Sequence, residues 1–273
     1  MKILKSLSIL LIGTLIVACS TNPFTGKQTL ALVPNSQILP MAFQQYNEFL
    51  SENKVVNNTA DSRMVKSVGQ KIASAAERYL TANGYAGYLT DYRWEYNLVQ
   101  SPDVNAWAMP GGKVVVYTGI LPITQNEAGL AAVMGHEVAH ALANHGQQRM
   151  SAGQLQQLGA VAGNIALSNN PENQQIFNTA YGLGSTVGVM LPFSRSHETE
   201  ADRIGLILMA MAGYEPLAAA ELWQRMQAQE SGNTPPEFLS THPASATRIQ
   251  NIQAWAPEAK AEARKFGVTS FKR

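Results

Sequence analysis

The chain has 273 residues, of which 45% are hydrophobic and 14% are charged, a composition typical of a folded globular protein rather than a disordered chain. Its formal net charge is +1, and removal of Lys2 and Lys5 would change that by only two units. Such a balance does not suggest a basic domain, so we predict one folded domain and no nucleic-acid partner.

Residues 1–18 have the pattern of a secretory signal peptide, because Lys2 and Lys5 precede an apolar run from Leu7 to Val17 that is short for a membrane span. Ala18 then precedes Cys19, the only cysteine of the sequence. This order resembles the bacterial lipobox, in which the cysteine becomes the first mature residue and carries lipid. An uncleaved N-terminal anchor is the alternative.

Either reading places the domain at a membrane surface outside the cytoplasm, on the periplasmic face of the cell envelope. A lone thiol cannot form an internal disulfide, and lipidation of Cys19 explains why an exported chain keeps it. Ser20 follows the cysteine, which by resemblance to lipoprotein sorting signals favours the outer membrane.

The middle of the chain predicts helices and a small sheet. Residues 19–40 carry three prolines and several turn formers, as an extended tether would. Apolar residues recur at helical spacing over 41–50 and 61–80. Residues 92–100 alternate as a strand does and residues 114–118 are β-branched, so we predict two strands of one small sheet.

Residues 126–146, NEAGLAAVMGHEVAHALANHG, contain the strongest chemical signal. Their alanines, leucines and valines favour a helix, on which His136 and His140 project from one face about one turn apart. Two imidazoles so placed can bind one zinc ion. Glu137 lies beside the first histidine, where its carboxylate can take a proton from an attacking water, as the H-E-x-x-H motif requires.

The third metal ligand is not a histidine at metzincin spacing. In the pattern H-E-x-x-H-x-x-G-x-x-H the glycine would fall at Ala143 and the last histidine at Gly146. His145 is one residue out of register, and we expect it to be a polar surface residue or to contact the carbonyls at the end of this helix.

An acidic cluster at residues 194–205, SRSHETEADRIG, supplies candidates for that ligand. Glu198 and Asp202 are four residues apart and share a helix face, whereas Glu200 points elsewhere. One of the glutamates can bind the metal, and spacing alone does not choose between them. Asp202 can hold the outer nitrogen of a ligand histidine, because such histidines usually donate that N–H to a carboxylate or carbonyl.

The combination of HEVAH, SRSHETEAD and HPASATR resembles the gluzincin metallopeptidase family that includes HtpX, the CAAX prenyl proteases, BepA and LoiP. The likeness runs from TNPFTGKQ through NAWAMPGGKVVVYTGIL to about residue 249. It implies one zinc ion per chain bound by His136, His140 and Glu198. It also implies that Glu137 is the catalytic base and that Asp202 supports the site.

The same resemblance implies a substrate-binding strand and a switch. The strand leading out of Asn105, with Ala106, Trp107 and Ala108, is expected to align the substrate backbone as an added strand. In relatives, the histidine that corresponds to His242 can also bind zinc and close the site.

His242 and Arg248 are candidates for a second reason. The oxyanion of a tetrahedral intermediate is stabilised by a nearby cation or N–H donor, and both side chains can serve in that way. The alternative is that the His-Pro pair opens a loop and that Arg248 pairs with a surface acid.

Two features separate the sequence from parts of that family. No tetratricopeptide-like repeat follows residue 249, and there are not four long apolar segments, which indicates a lipoprotein branch without such repeats. Residues 147–192 form a Gly- and Ala-rich insertion that we expect to make two helices flanking the cleft. Packing, lipid contact and guarding of the site all stay open as its role.

We therefore expect an α+β, mostly helical, zincin-like domain over residues 41–273, with a small sheet beside the active-site helix. Its expected activity is the hydrolysis of peptide bonds in misfolded or misassembled envelope proteins. The alternatives are a chaperone-like binding protein whose metal is saturated by His242, and a zinc-containing scaffold lipoprotein.

Overall fold

The computed structural model describes residues 19–185, 190–230 and 236–273 of the chain. The predicted signal peptide, residues 1–18, lies outside these described residues. The predicted boundaries of the tether at 19–40 and of the peptidase domain at 41–273 stay predictions. An α+β, mostly helical fold is confirmed, because ten helices of the described residues account for most of their length.

The helices have the following bounds: α1 Asn35–Glu52, α2 Ala60–Ala82, α3 Leu121–Thr124, α4 Glu127–Leu142, α5 His145–Ala166, α6 Pro171–Ser185, α7 Leu191–Met211, α8 Leu217–Glu230, α9 Glu237–Thr241 and α10 Ala246–Lys265. The two helices predicted over 41–50 and 61–80 fall inside α1 and α2. The first begins six residues earlier than Met41 and continues through Pro40. Within the described residues, none of the helices is long and apolar enough to cross a membrane.

Six strands form two sheets among the described residues. Strands β1 Cys19–Thr21 and β2 Gln28–Leu30 pair antiparallel, so the predicted tether contains a hairpin rather than a plain extended arm. The turn between them is stabilised by the Asn22 side chain, which accepts a hydrogen bond from the backbone N–H of Phe24.

The second sheet contains β3 Val55–Val56, β4 Glu95–Val99, β5 Ala106–Met109 and β6 Lys113–Tyr117, in the order β3-β4-β6-β5. Both predicted strands are confirmed as β4 and β6, which pair in parallel. Between β4 and β6 the chain forms β5, and the turn at Gly111 and Gly112 then reverses its direction. Strand β6 therefore pairs antiparallel with β5 and parallel with β4. Both glycines have positive φ values, of 83° and 85°, which glycine adopts without strain. Strand β5 is therefore outermost in this sheet.

Contacts divide the chain into two compact units. One unit contains Leu39–Ala143 and Glu198–Arg273, and the other contains Asn144–His197 with the chain up to Ile38. In the first unit, helix α4 is buried along nearly its whole length and contacts α2, α8 and β5. A helix that is apolar on every side is stable only when surrounded, so α4 is the central element of this unit.

Backbone N–H and C=O groups at both ends of α4 form hydrogen bonds with specific side chains. The Asn126 side chain accepts a hydrogen bond from the N–H of Gly129 at the start of the helix. At the other end, the hydroxyls of Tyr88 and Tyr92 donate to the carbonyls of Leu142 and Ala141.

In the second unit, helices α5 and α6 confirm that the 147–192 insertion contains two helices. They contact one another, and the Tyr181 hydroxyl donates to the carbonyl of Gln156. The prediction of a polar surface position for His145 is wrong, because this residue is fully buried and stacks on His197 with ring centroids 4.1 Å apart. The left-handed Asn144 (φ 56°) is the N-cap of α5, so His145 begins a new helix rather than extending α4.

The close crossing of α4 and α7 depends on two glycines. A Cβ atom added at Gly205 would lie 3.0 Å from both the carbonyl carbon of Gly135 and the backbone nitrogen of His136. Backbone atoms cannot move aside as a flexible side chain can, so any larger residue would push the two helices apart.

We predict that Gly205→Ala lowers the free energy of unfolding by about 1–3 kcal/mol, because the added methyl group meets packed backbone. Gly153→Ala is the matched control, since a Cβ there has nothing within 4 Å and lies inside α5. It should be neutral or stabilising by up to about 1 kcal/mol. Equal unfolding curves for the two variants in urea would contradict the tight crossing.

Candidate metal centre

His136 and His140 lie one turn apart on α4 and face the same point. Their Nε2 atoms are 3.1 Å apart, and their ring centroids are separated by 4.6 Å. Both side chains are buried. The spacing of four residues thus produces the convergence that the sequence predicted.

Glu198, on α7, brings a carboxylate to the two histidines. Its Oε2 lies 3.3 Å from Nε2 of His136, and its Oε1 lies 3.2 Å from Nε2 of His140. Glu200 is not part of this group. The geometry therefore favours Glu198 in the choice that spacing left open.

His242 is the fourth member of the group and follows helix α9. Its Nδ1 is 2.8 Å from Oε2 of Glu198 and 3.1 Å from Nε2 of His136. Its Nε2 lies 3.4 Å from Oε1 of Glu137. The ring of Phe238 lies against the His242 ring, with centroids 4.6 Å apart, and fixes one side of it.

The donor set fits a metal ion. One ligand atom from each of His136, His140, Glu198 and His242 lies within 4.8 Å of the other three. Ligand atoms of a tetrahedral zinc ion with bonds of about 2.0–2.1 Å lie roughly 3.4 Å apart, close to the separations found here.

The local charges lead to the same conclusion. Glu137, Glu198 and Asp202 contribute three carboxylates, and Arg248 is the cation among them. Buried charges are stable only when they are balanced, and a divalent cation balances this group. Oε1 of Glu137 is buried and makes no hydrogen bond with any described residue, which leaves it available to a water molecule.

Asp202 and Arg248 form a buried pair behind the histidines. Arg248 donates through Nε to Oδ2 of Asp202 (2.7 Å) and through Nη2 to Oδ1 (2.6 Å). Oδ1 of Asp202 is also 3.0 Å from Nδ1 of His136, so this carboxylate can fix the orientation of the ring. The pairing of Arg248 with a surface acid, which the sequence left as an alternative, is therefore wrong.

Ser245 and Trp223 hold Arg248 in place, and only the position of Ser245 could be interpreted from the sequence. Ser245 caps helix α10 and accepts a hydrogen bond from the backbone N–H of Arg248, as expected of a serine three residues before it. Trp223, on α8, stacks on the guanidinium at 3.4 Å from its ring centroid. Nothing in the sequence around Trp223 pointed to the site, because an apolar residue in a helix reads as core.

The predicted substrate-binding strand lies beside α4. Strand β5 contacts α4, and among the described residues no strand pairs with its outer edge. Trp107 packs its ring against Phe49, and Ala106 is buried. Asn105 directly precedes the strand, and its side chain accepts a hydrogen bond from the N–H of Ala106. The backbone of Asn105–Ala108, rather than its side chains, is thus the part suited to align a peptide.

The electrostatics of the metal-free site favour a proton where a metal would bind. Burial and Arg248 lower the pKa of His136, but hydrogen bonds to Asp202 and Glu198 outweigh both and raise it to about 9. Burial raises the pKa of Glu198, whereas the three histidines hold it well below its usual range. Burial also raises the pKa of Asp202, but Arg248 and His136 more than offset this and lower it.

We predict that metal binding near neutral pH releases about one proton per ion, because His136 is protonated there in the metal-free chain and must be neutral to bind. Calorimetric titration in buffers of different ionisation enthalpy measures that number. Asp202→Asn should reduce it by lowering the pKa of His136, whereas the exposed Asp61→Asn should not. Release of no proton from the unaltered chain would contradict the raised pKa.

Comparison with known proteins supports the geometry. Residues 60–256 match Peptidase family M48. The mitochondrial metalloendopeptidase OMA1 of Schizosaccharomyces pombe is 37% identical over 226 residues, which are 81% of this chain and 61% of that protein. OMA1 of Saccharomyces cerevisiae is 35% identical over 208 residues, or 71% of this chain and 56% of the relative.

A bacterial relative is more distant. The Beta-barrel assembly-enhancing protease of Escherichia coli is 25% identical over 242 residues, which are 86% of this chain and 47% of that protein. The chain thus spans about half to three fifths of the length of these curated relatives. The matched region contains every residue of the site, and the chain therefore belongs to Peptidase family M48, a family of zinc-dependent metallopeptidases.

Proposed function

We propose that this chain is a zinc-dependent endopeptidase of the bacterial cell envelope. The observation that carries the proposal is the convergence of His136, His140 and Glu198 beside the buried carboxylate of Glu137. We propose that His136, His140 and Glu198 bind the zinc ion. The curated relatives are named metalloendopeptidases or proteases, which supports the same reaction for this chain.

The zinc ion, when bound, supplies a Lewis acid for the peptide carbonyl and lowers the pKa of water. Glu137 acts as the general base: its Oε1, which accepts no hydrogen bond from the described residues, takes a proton from the attacking water and passes it to the leaving amine nitrogen. His242, whose Nε2 lies 3.4 Å from that oxygen, is placed to donate to charge that develops on the substrate.

Asp202 and Arg248 lie next to the ligand residues and hold them in position. Asp202 accepts from Nδ1 of His136 and keeps its Nε2 directed at the ligand group. Arg248 balances Asp202 and also lies 3.3 Å from Oε2 of Glu198 through Nη1. We propose that its fixed charge stabilises the oxyanion through space, as the sequence suggested, while the stacking on Trp223 prevents it from moving.

Substrate recognition is proposed to use backbone hydrogen bonds. A peptide added to the outer edge of β5 would run alongside Asn105, Ala106, Trp107 and Ala108 next to α4. Such binding recognises an extended peptide backbone rather than a particular side chain. It suits misfolded or misassembled proteins, whose chains are exposed in extended form.

The envelope location rests on the N-terminal sequence. Lys2 and Lys5, the apolar run Leu7–Val17 and Cys19 support a lipid anchor, and Cys19 is exposed at the start of β1. The name of the Escherichia coli relative refers to β-barrel assembly, and β-barrels are the spanning form of outer-membrane proteins, which supports this location. The mitochondrial relatives support the reaction but not this location.

A second candidate follows from His242. With its Nδ1 only 2.8 Å from Glu198, this residue can serve as a fourth ligand and saturate the metal. The chain would then be closed at rest, with His242 as a switch that leaves before substrate enters. If it never left, the chain would hold clients as a chaperone or act as a zinc-containing scaffold.

We predict that Glu137→Gln lowers the rate of casein hydrolysis by about 10²- to 10⁴-fold, the usual contribution of a general base. Zinc content should be unchanged, because Glu137 is not a ligand in this account. Glu52→Gln, at an exposed position of α1, is the matched control and should retain full activity.

The outcomes separate the candidates. Equal activity of the wild-type chain and Glu137→Gln would discard the mechanism. If neither cleaves casein but both retain unfolded casein in a pull-down, the chaperone reading is favoured.

A further inference from the structure

Exposed apolar side chains are concentrated on helices α5 and α6. Leu155, Leu158, Val161 and Ile165 recur at spacings of three and four, which places them on one face of α5. The exposed fractions of Leu158 and Ile165 are 63% and 69%. We call this set, together with the exposed Ile176 of α6, the apolar stripe.

The apolar stripe does not form the contact between α5 and α6, because other residues pack at that contact. A Cβ added at Gly163 would meet the ring of Phe177 at 2.1 Å, so the helices touch there. The amide groups of Asn164 and Asn178 bond to each other at 2.8 and 3.0 Å. The stripe therefore faces away from the α5–α6 contact.

The surrounding sequence is almost without charge. Between Arg149 and Arg195 the chain has one charged residue, Glu172. A water-exposed surface usually carries many charged residues, whereas charges close to lipid hydrocarbon are costly. Apolar residues among uncharged glutamines, asparagines, alanines and glycines suit the boundary between lipid headgroups and acyl chains.

Cys19, the proposed site of membrane attachment, belongs to the same compact unit as the stripe. Cys19 pairs with Leu30 across the β1–β2 hairpin, and two residues later the N–H of Leu32 donates to Oγ of Ser151 on α5 at 3.0 Å. Neighbouring strands are about 4.8 Å apart and two residues span roughly 7 Å, so Cys19 lies near the first turns of α5.

The membrane is at this position under either reading of the N-terminus. Cys19 carries acyl chains if residues 1–18 are removed, and it follows an apolar anchor if they are kept. A lipid surface is thus the apolar partner within reach of the stripe.

We propose that the apolar stripe docks onto the phospholipid leaflet in which the N-terminus is anchored, with its side chains at the level of the upper acyl chains. The helix lies on the membrane rather than crossing it, since no described helix is apolar enough to span a bilayer. The inference rests on the proposed envelope location. It gives the insertion a role that the sequence left open.

A fluorescent probe on α5 tests this contact. Cys19 is the only cysteine of the sequence, and acylation blocks its thiol, so Ile165→Cys offers one site for an environment-sensitive label. The labelled full chain is reconstituted into vesicles of phosphatidylethanolamine and phosphatidylglycerol with and without nitroxide-bearing lipid. We expect a blue-shifted emission and a loss of about half of it to the nitroxide.

Substitutions elsewhere in the stripe provide the control. Leu155→Gln with Leu158→Gln in the labelled chain should remove most of the quenching at position 165. Met41→Gln, which changes an exposed apolar residue of α1 outside the apolar stripe, should leave the quenching unchanged.

Three results would overturn the inference. They are no quenching at position 165, quenching that survives the double substitution, and a blue shift that appears without vesicles and grows with protein concentration. The last would mean that a second copy of the chain covers the stripe. Casein hydrolysis by the same samples and the intact mass at Cys19 report separately on the proposed activity and the proposed anchor.

Discussion

The structure is organised around a buried point at which three imidazole nitrogens and a carboxylate meet. His136 and His140 come from α4, Glu198 comes from α7 and His242 comes from the segment after α9, and their ligand atoms lie within 4.8 Å of each other. Without a cation at their centre, such groups would leave lone pairs and negative charge unsatisfied in a low-dielectric interior. A bound zinc ion removes that penalty, so metal binding and stability of this region are linked.

The residues behind the ligands follow from the same requirement. The three carboxylates of Glu137, Glu198 and Asp202 carry more negative charge than one divalent ion balances, and the buried Arg248 compensates Asp202 by two short hydrogen bonds. Trp223 covers the guanidinium and keeps water from it. Removal of either charged partner would leave the other buried and unpaired, which costs more than the pair contributes.

Local sequence predicted the spatial relations between site residues that lie within a single helix. The i, i+4 histidines, the neighbouring Glu137 and the shared face of Glu198 and Asp202 depend only on helical periodicity. The choice between Glu198 and Glu200 depends instead on the crossing of two helices at Gly135 and Gly205, which no spacing rule reveals. The burial of His145, the role of Trp223 and the parallel pairing of β4 with β6 likewise arise from contacts between segments distant in the chain. The exposed stripe of α5 escaped prediction because an apolar period alone indicates packing.

The central claim is that the buried cluster binds one zinc ion, and the metal content of the purified chain tests it most directly. The measurement is best made above the pKa of about 9 of the metal-free His136, where protons no longer compete. We expect one zinc ion per chain that survives dialysis against a weak chelator. A chain that stays folded but contains no metal under those conditions would contradict it.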